Sequence, residues 1–258
     1  MSLGDAGAVG GGGEQPETDK PFAESFAVDA PRPLGIVSTF GWLIAAVVAA
    51  MVAAVLVALV SITVFAVDHD EARSDRIGMA AWTVYAAAAS LFFTVVIVAC
   101  RRSGWRAADY LGLARPKGHY VLAGATAFLL TLLFALIAVR FGPLGYGRSR
   151  ATTVAEVVTY LVETMITAPF FEELIYRGFL YRGLAASRLG VTGAIIATTV
   201  LWTAIHSDRT LLGYAALLVM GIALGWLRWR SASTIPTISV HFVYNLCSVA
   251  IPLIWSGG

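Results

Sequence analysis

Charge is what this sequence has least of. Asp, Glu, Lys and Arg make up 13% of its 258 residues, about half the share found in soluble globular domains, roughly 25%. Apolar residues make up 58%, and the mean hydropathy is +0.77. So little charge cannot clothe a water-facing surface, which excludes an ordinary cytosolic enzyme and a disordered chain. Cysteine is nearly absent too. Cys100 and Cys247 are the two, too few for a disulfide scaffold and without metal-ligand spacing. Both lie in apolar runs and read as small buried hydrophobes. The bases are scattered through short connecting segments with no interleaved aromatics, so nothing points to a nucleic-acid partner. What remains is an all-α fold, a polytopic transmembrane helical bundle of seven or eight spans.

What is present has a clear order along the chain. Residues 1–33 hold six acids and two bases, the run GAVGGGG and four prolines. They have no apolar periodicity and are expected to be a disordered cytosolic tail. Residues 34–258 form the transmembrane bundle. A helix needs about 20 apolar residues to cross a bilayer. By that measure spans are expected at Leu34–Val67, Ile77–Cys100 and Gly118–Val139. Shorter ones follow at Leu189–Ile205 and Thr210–Leu227, with a last run from Ser231 to the end. Thr153–Arg188 is apolar but broken by Glu156, Glu163, Glu172, Glu173 and Arg177, and reads as a long helix kinked near Pro169. Arg101, Arg102, Arg106, Arg115 and Lys117 form the strongest basic cluster. They place that connector, the N-terminal tail and the Arg228–Arg230 turn in the cytosol. Arg140, Arg148 and Arg150 run against this orientation.

After the tail the chain has five Glu, and four of them fall within residues 156–173. An ionisable group inside a membrane costs at least about 2.5–3.5 kcal/mol, so intramembrane charge marks functional sites. Three short constellations gather that polarity. In Glu172-Glu173-Leu174-Ile175-Tyr176-Arg177, Glu173 and Arg177 are four apart and meet as an ion pair on a helix. Glu172 then points about 100° away with no local cation, a position that suits a general base. In Trp202-Thr203-Ala204-Ile205-His206 one turn separates the indole from the imidazole. In His241-Phe242-Val243-Tyr244-Asn245, His and Asn share a helix face. Each constellation also has a plainer reading: a buried ion pair with a spare carboxylate, an interfacial histidine, or hydrogen-bonding glue between membrane helices.

Taken together, one carboxylate, two histidines and an asparagine inside a membrane suggest hydrolysis. Glu172 would deprotonate a water that His206 helps to position, and His241 with Asn245 would stabilise an oxyanion. Glu172, His206 and His241 are also a possible ligand set for a divalent metal such as zinc, though no H-E-x-x-H is present. Glutamate-activated and metal-activated water both fit this set. Counting residues from the intervening turns puts Glu172 and His206 at nearly equal depth. His241 matches only if two turns on the same side lie at different heights.

In this order, on separate helices, the three motifs resemble the CPBP family of type II CAAX prenyl proteases and bacteriocin-processing or immunity proteins. The likeness covers about residues 150–250. The family shows Glu-Glu-x-x-x-Arg, then Phe-x-x-x-His, then His-x-x-x-Asn. This chain keeps all three but has Trp202 in place of the usual Phe, and Gly178 follows Arg177. The resemblance implies a bundle of about eight helices around an intramembrane cavity. It implies endoproteolysis of a membrane-associated protein, with catalytic Glu172, Glu173, His206, His241 and Asn245 supported by Arg177 and Trp202. A prenylated substrate is not implied. The predominance of Arg over Lys, with abundant Ala, Val and Gly, suggests a GC-rich bacterial source and hence a bacterial cytoplasmic membrane. Two other classes compete: a non-catalytic scaffold or immunity protein, and a proton-coupled transporter that uses Glu172 and His241 as a relay.

Overall fold

The computed structural model describes residues 31–65, 73–116, 120–141, 154–207 and 209–255. The expected tail disorder falls outside these residues. Eight helices account for most of the described chain, and no strand occurs among the described residues. They are α1 (Ile36–Phe65), α2 (Arg73–Arg102), the single-turn α3 (Ala107–Tyr110), α4 (Tyr120–Phe141), α5 (154–185), α6 (Gly190–Ala204), α7 (Leu211–Ser231) and α8 (Ile235–Trp255). Apart from α3, they reproduce the seven runs read from hydropathy, with boundaries moved by up to four residues.

Among the described residues three segments are long and apolar enough to cross a membrane: Ile36–Thr63, Ala81–Arg102 and Leu211–Ser231. Gly124–Leu133, Gly190–Ala204 and Ile235–Val249 are apolar but shorter. The expected all-α membrane bundle is thus observed, with long apolar segments and several shorter apolar helices among the described residues, and α5 carries charge in its interior. The distribution of polarity is that of an integral membrane protein. Val48, Met51, Val52, Val55, Leu56 and Leu59 of α1 face outward, while Glu173, Arg177, Arg228, Thr198, Thr237 and His241 are buried. In water this arrangement would be inside out. In lipid it is the one that satisfies both.

Helix α7 is the central packing element, lying against α4, α6 and α8. Its approach to α6 depends on small residues. A Cβ on Gly221 would stand 2.6 Å from Thr199 Cγ2, and one on Gly225 would stand 2.8 Å from Ile195 Cγ2. Two glycines four apart present one flat strip, the usual means of close approach where lipid supplies no hydrophobic drive. The α7–α8 turn is plugged from outside the pair. Gly112, at φ +72°, brings its carbonyl to the Thr234 amide at 2.8 Å, and Thr234 Oγ1 donates to the Leu111 carbonyl at 2.6 Å. Ser233 and Thr234 are therefore fully buried, whereas Leu189 in the α5–α6 turn is 45% exposed.

Arg228, at the end of α7, is buried. Its Nε donates to the Arg177 carbonyl at 2.9 Å, and its guanidinium carbon lies 5.2 Å from the centre of the Tyr181 ring. A backbone acceptor and an aromatic face replace water for this cation.

Gly221→Val should lower the stability of the purified protein by about 1–3 kcal/mol, the cost typical of overpacking a tight contact. Thermal unfolding in detergent measures it. An unchanged midpoint would show that α6 and α7 have room to separate.

Candidate active site

Helix α5 changes register twice. It runs as α-helix over Val154–Val162, π-helix over Glu163–Thr167, α-helix over Ala168–Glu173, π-helix over Leu174–Leu180 and α-helix over Tyr181–Ala185. Pro169, where the sequence predicts a kink, stands in the first turn of the α stretch that follows the first π stretch. In the first π stretch Ala168 N–H donates to Glu163 O, a five-residue step. The same step from Thr164 O leads to Pro169, which has no N–H to give. Asn245 supplies the missing donor from α8, its Nδ2 standing 2.8 Å from Thr164 O.

Beyond the proline, the two adjacent glutamates part company. Glu173 is fully buried and turns towards α8. Its Oε1 accepts from Arg177 Nη1 at 2.8 Å and faces His241 Nδ1 at 3.0 Å. Arg177 Nη2 donates onward to Gly221 O, a backbone acceptor on α7, at 3.3 Å. Two opposite charges removed from water are tolerable in an apolar core only when paired and hydrogen-bonded in this manner.

Glu172 is half-buried and turns towards α6. Trp202 Nε1 donates to its Oε2 at 2.5 Å. The Trp202 ring lies edge-on to His206 at 4.8 Å and to His241 at 5.6 Å, between centroids. One indole thus reaches Glu172 and both imidazoles.

Each histidine is oriented through Nδ1. His206 Nδ1 lies 2.8 Å from Trp202 O, and a carbonyl only accepts, so the proton resides on Nδ1. The Arg177-paired Glu173 carboxylate imposes the same tautomer on His241. Both rings are thus left with Nε2 for a ligand. Asn245, one turn beyond His241, spends one N–H on Thr164 O and keeps a second.

The metal reading is not met by this arrangement. Among the described residues no three His, Cys, Asp or Glu side chains are grouped to hold a metal ion. Glu172, His206 and His241 do not form such a group, although the Nδ1 bonds of both histidines leave each Nε2 open. What the cluster can do directly is accept a proton at Glu172 and engage a polar group at two imidazole Nε2 atoms and one amide.

Sequence reasoning missed the role of Thr164 O, of Gly221 O and of buried Arg228. Only Thr164 left a signal, since Pro169 in an apolar helix announces an orphaned carbonyl upstream. Residues 154–247 match the Rce1-like family model of type II CAAX prenyl endopeptidases. No curated protein and no solved structure matches the chain.

Two variants test the support of this cluster by thermal unfolding in detergent. Arg177→Ala should destabilise by about 3–5 kcal/mol, because it strands Glu173 as an unpaired buried charge. Asn245→Ala should cost about 1–3 kcal/mol by leaving Thr164 O without a donor. Wild-type stability in either variant would remove the corresponding contact from the framework.

Proposed function

Residues 154–247 are a CPBP-family domain, and on that premise we propose that the protein is an intramembrane endopeptidase acting on a membrane-associated protein. The observation that carries this reading is the convergence of Glu172 on α5, His206 just past the end of α6 and His241 on α8 around the single side chain of Trp202. A half-buried carboxylate beside two imidazoles with free Nε2 atoms is a means of handling water and a carbonyl oxygen. In an apolar bundle such polarity carries a cost that a purely structural helix has no reason to bear.

Glu172 takes a proton from a water held against His206 Nε2, and the resulting hydroxide attacks the scissile carbonyl carbon. The carbonyl π bond opens to a tetrahedral oxyanion, which the second N–H of Asn245 stabilises. With Nδ1–H committed to Glu173, His241 donates to the same oxygen only as an imidazolium, and Glu173 is then its counter-ion. Collapse of the oxyanion re-forms the carbonyl and breaks the C–N bond. Protonated Glu172 returns its proton to the departing amine. Glu173 takes no part in bond making; it fixes the His241 tautomer and holds Arg177. We place the protein in a bacterial cytoplasmic membrane with its N-terminus cytosolic, a reading supported by Arg101, Arg102, Arg106 and Arg115 beside α2 and α3.

The test is a panel of membrane-anchored peptides offered to purified wild type and variants. Wild type should cleave at least one member, and Glu172→Ala, His206→Ala and His241→Ala should each abolish that cleavage while remaining folded. A chelator should leave the rate unchanged. Equal cleavage by Glu172→Ala, or a folded wild type that cleaves nothing, would sink the peptidase reading in favour of a scaffold. Loss of activity on chelation would restore the metal.

A further inference from the structure

Trp202 is 1% exposed, yet its one polar atom is not hidden in packing. The indole N–H can only donate, and it donates to Oε2 of Glu172 at 2.5 Å. Its ring is edge-on to both histidines, and the Arg177 guanidinium carbon lies 4.9 Å from the ring centre. Arg177 is in turn held by Glu173. Two glutamates adjacent in sequence are therefore rejoined in space through Arg177 and Trp202. A phenyl ring at position 202 would keep the aromatic contacts and lose the donor.

We infer that Trp202 is a positioning residue for Glu172, in which the indole N–H, and not only the ring's bulk, fixes the carboxylate that receives the proton of water. This rests on the peptidase reading. A free glutamate on a helix explores several rotamers, and most of them turn its oxygens away from the histidines. A donor at Oε2 selects one rotamer and leaves Oε1 to accept the proton. Tryptophan is suited to the task because its side chain has two torsions and is locked here by burial on every side. The Trp that stands where the family motif has Phe thus changes how the general base is held.

The experiment separates donor from bulk in the full-length protein. Position 202 is replaced by 3-benzothienylalanine, which keeps the bicyclic shape and exchanges the N–H for sulfur, and in parallel by Phe. With a peptide that wild type cleaves, both variants should show kcat lowered roughly 10- to 100-fold, the equivalent of one charge-assisted hydrogen bond. KM and the unfolding midpoint of the benzothienyl variant should stay at wild-type values. A readout independent of turnover is the hydrogen-bond-sensitive indole N–H band in ultraviolet resonance Raman, taken as wild type minus Trp202→Phe. Its position should move to that of an unbonded indole in Glu172→Ala. A benzothienyl variant with wild-type kcat, or a band indifferent to Glu172→Ala, would overturn the inference. An inactive wild type with the band in its bonded position would instead overturn the peptidase reading, and the positioning role with it, while leaving the contact itself in place.

Discussion

The buried pair of Glu173 and Arg177 is the constraint around which the rest of the bundle is arranged. Neither charge can be left alone in an apolar interior, so each must find every partner within reach. That need reaches across the bundle. Arg177 extends to the α7 backbone at Gly221, and Glu173 extends to His241 on α8. The same contacts that satisfy the charges therefore fix the separation of three helices and the orientation of one imidazole. Arg228 extends the framework from the other side by donating to the Arg177 carbonyl.

Backbone register does the second part of the work. A regular α-helix would place Glu172 and Glu173 at fixed angles from the rest of α5. The two π stretches, before and after the glutamate pair, change those angles and free carbonyls that neighbouring helices must satisfy. Asn245 answering Thr164 O is the visible consequence. One amide thus joins α8 to α5 within one turn of His241, which ties the placement of the proposed oxyanion donors to the segment that carries the proposed base. A residue expected to act only on substrate also has a structural duty, and a second N–H lets it hold both.

The adjacent glutamates illustrate how neighbours in sequence come to do different chemistry. Glu173 is buried and paired with a cation, and so acts as an anchor. Glu172 is half-buried and held by a neutral donor, so its second oxygen remains available for proton transfer. The difference arises from which helix each side chain meets, since the residue type and the main chain are the same.

Much of this was legible before any fold was known. Low charge and long apolar runs dictated membrane helices and their order, because burying backbone polar groups in lipid leaves no cheaper structure. The concentration of Glu in residues 156–173 located the polar centre, and the four-residue spacing of Glu173 and Arg177 dictated their pairing. Local spacing could not convey distances between helices. That Trp202 donates to Glu172 depends on how α6 meets α5, and the α7–α8 turn that leads into the His241 helix is seated beneath Gly112. That seating is a contact between segments about 120 residues apart. The sequence by itself determined which residues could carry charge chemistry and on which helices they stand. Only tertiary packing decided which partner each one meets, because in an apolar core the nearest available donor or acceptor, wherever it lies in the chain, sets what a polar side chain can do.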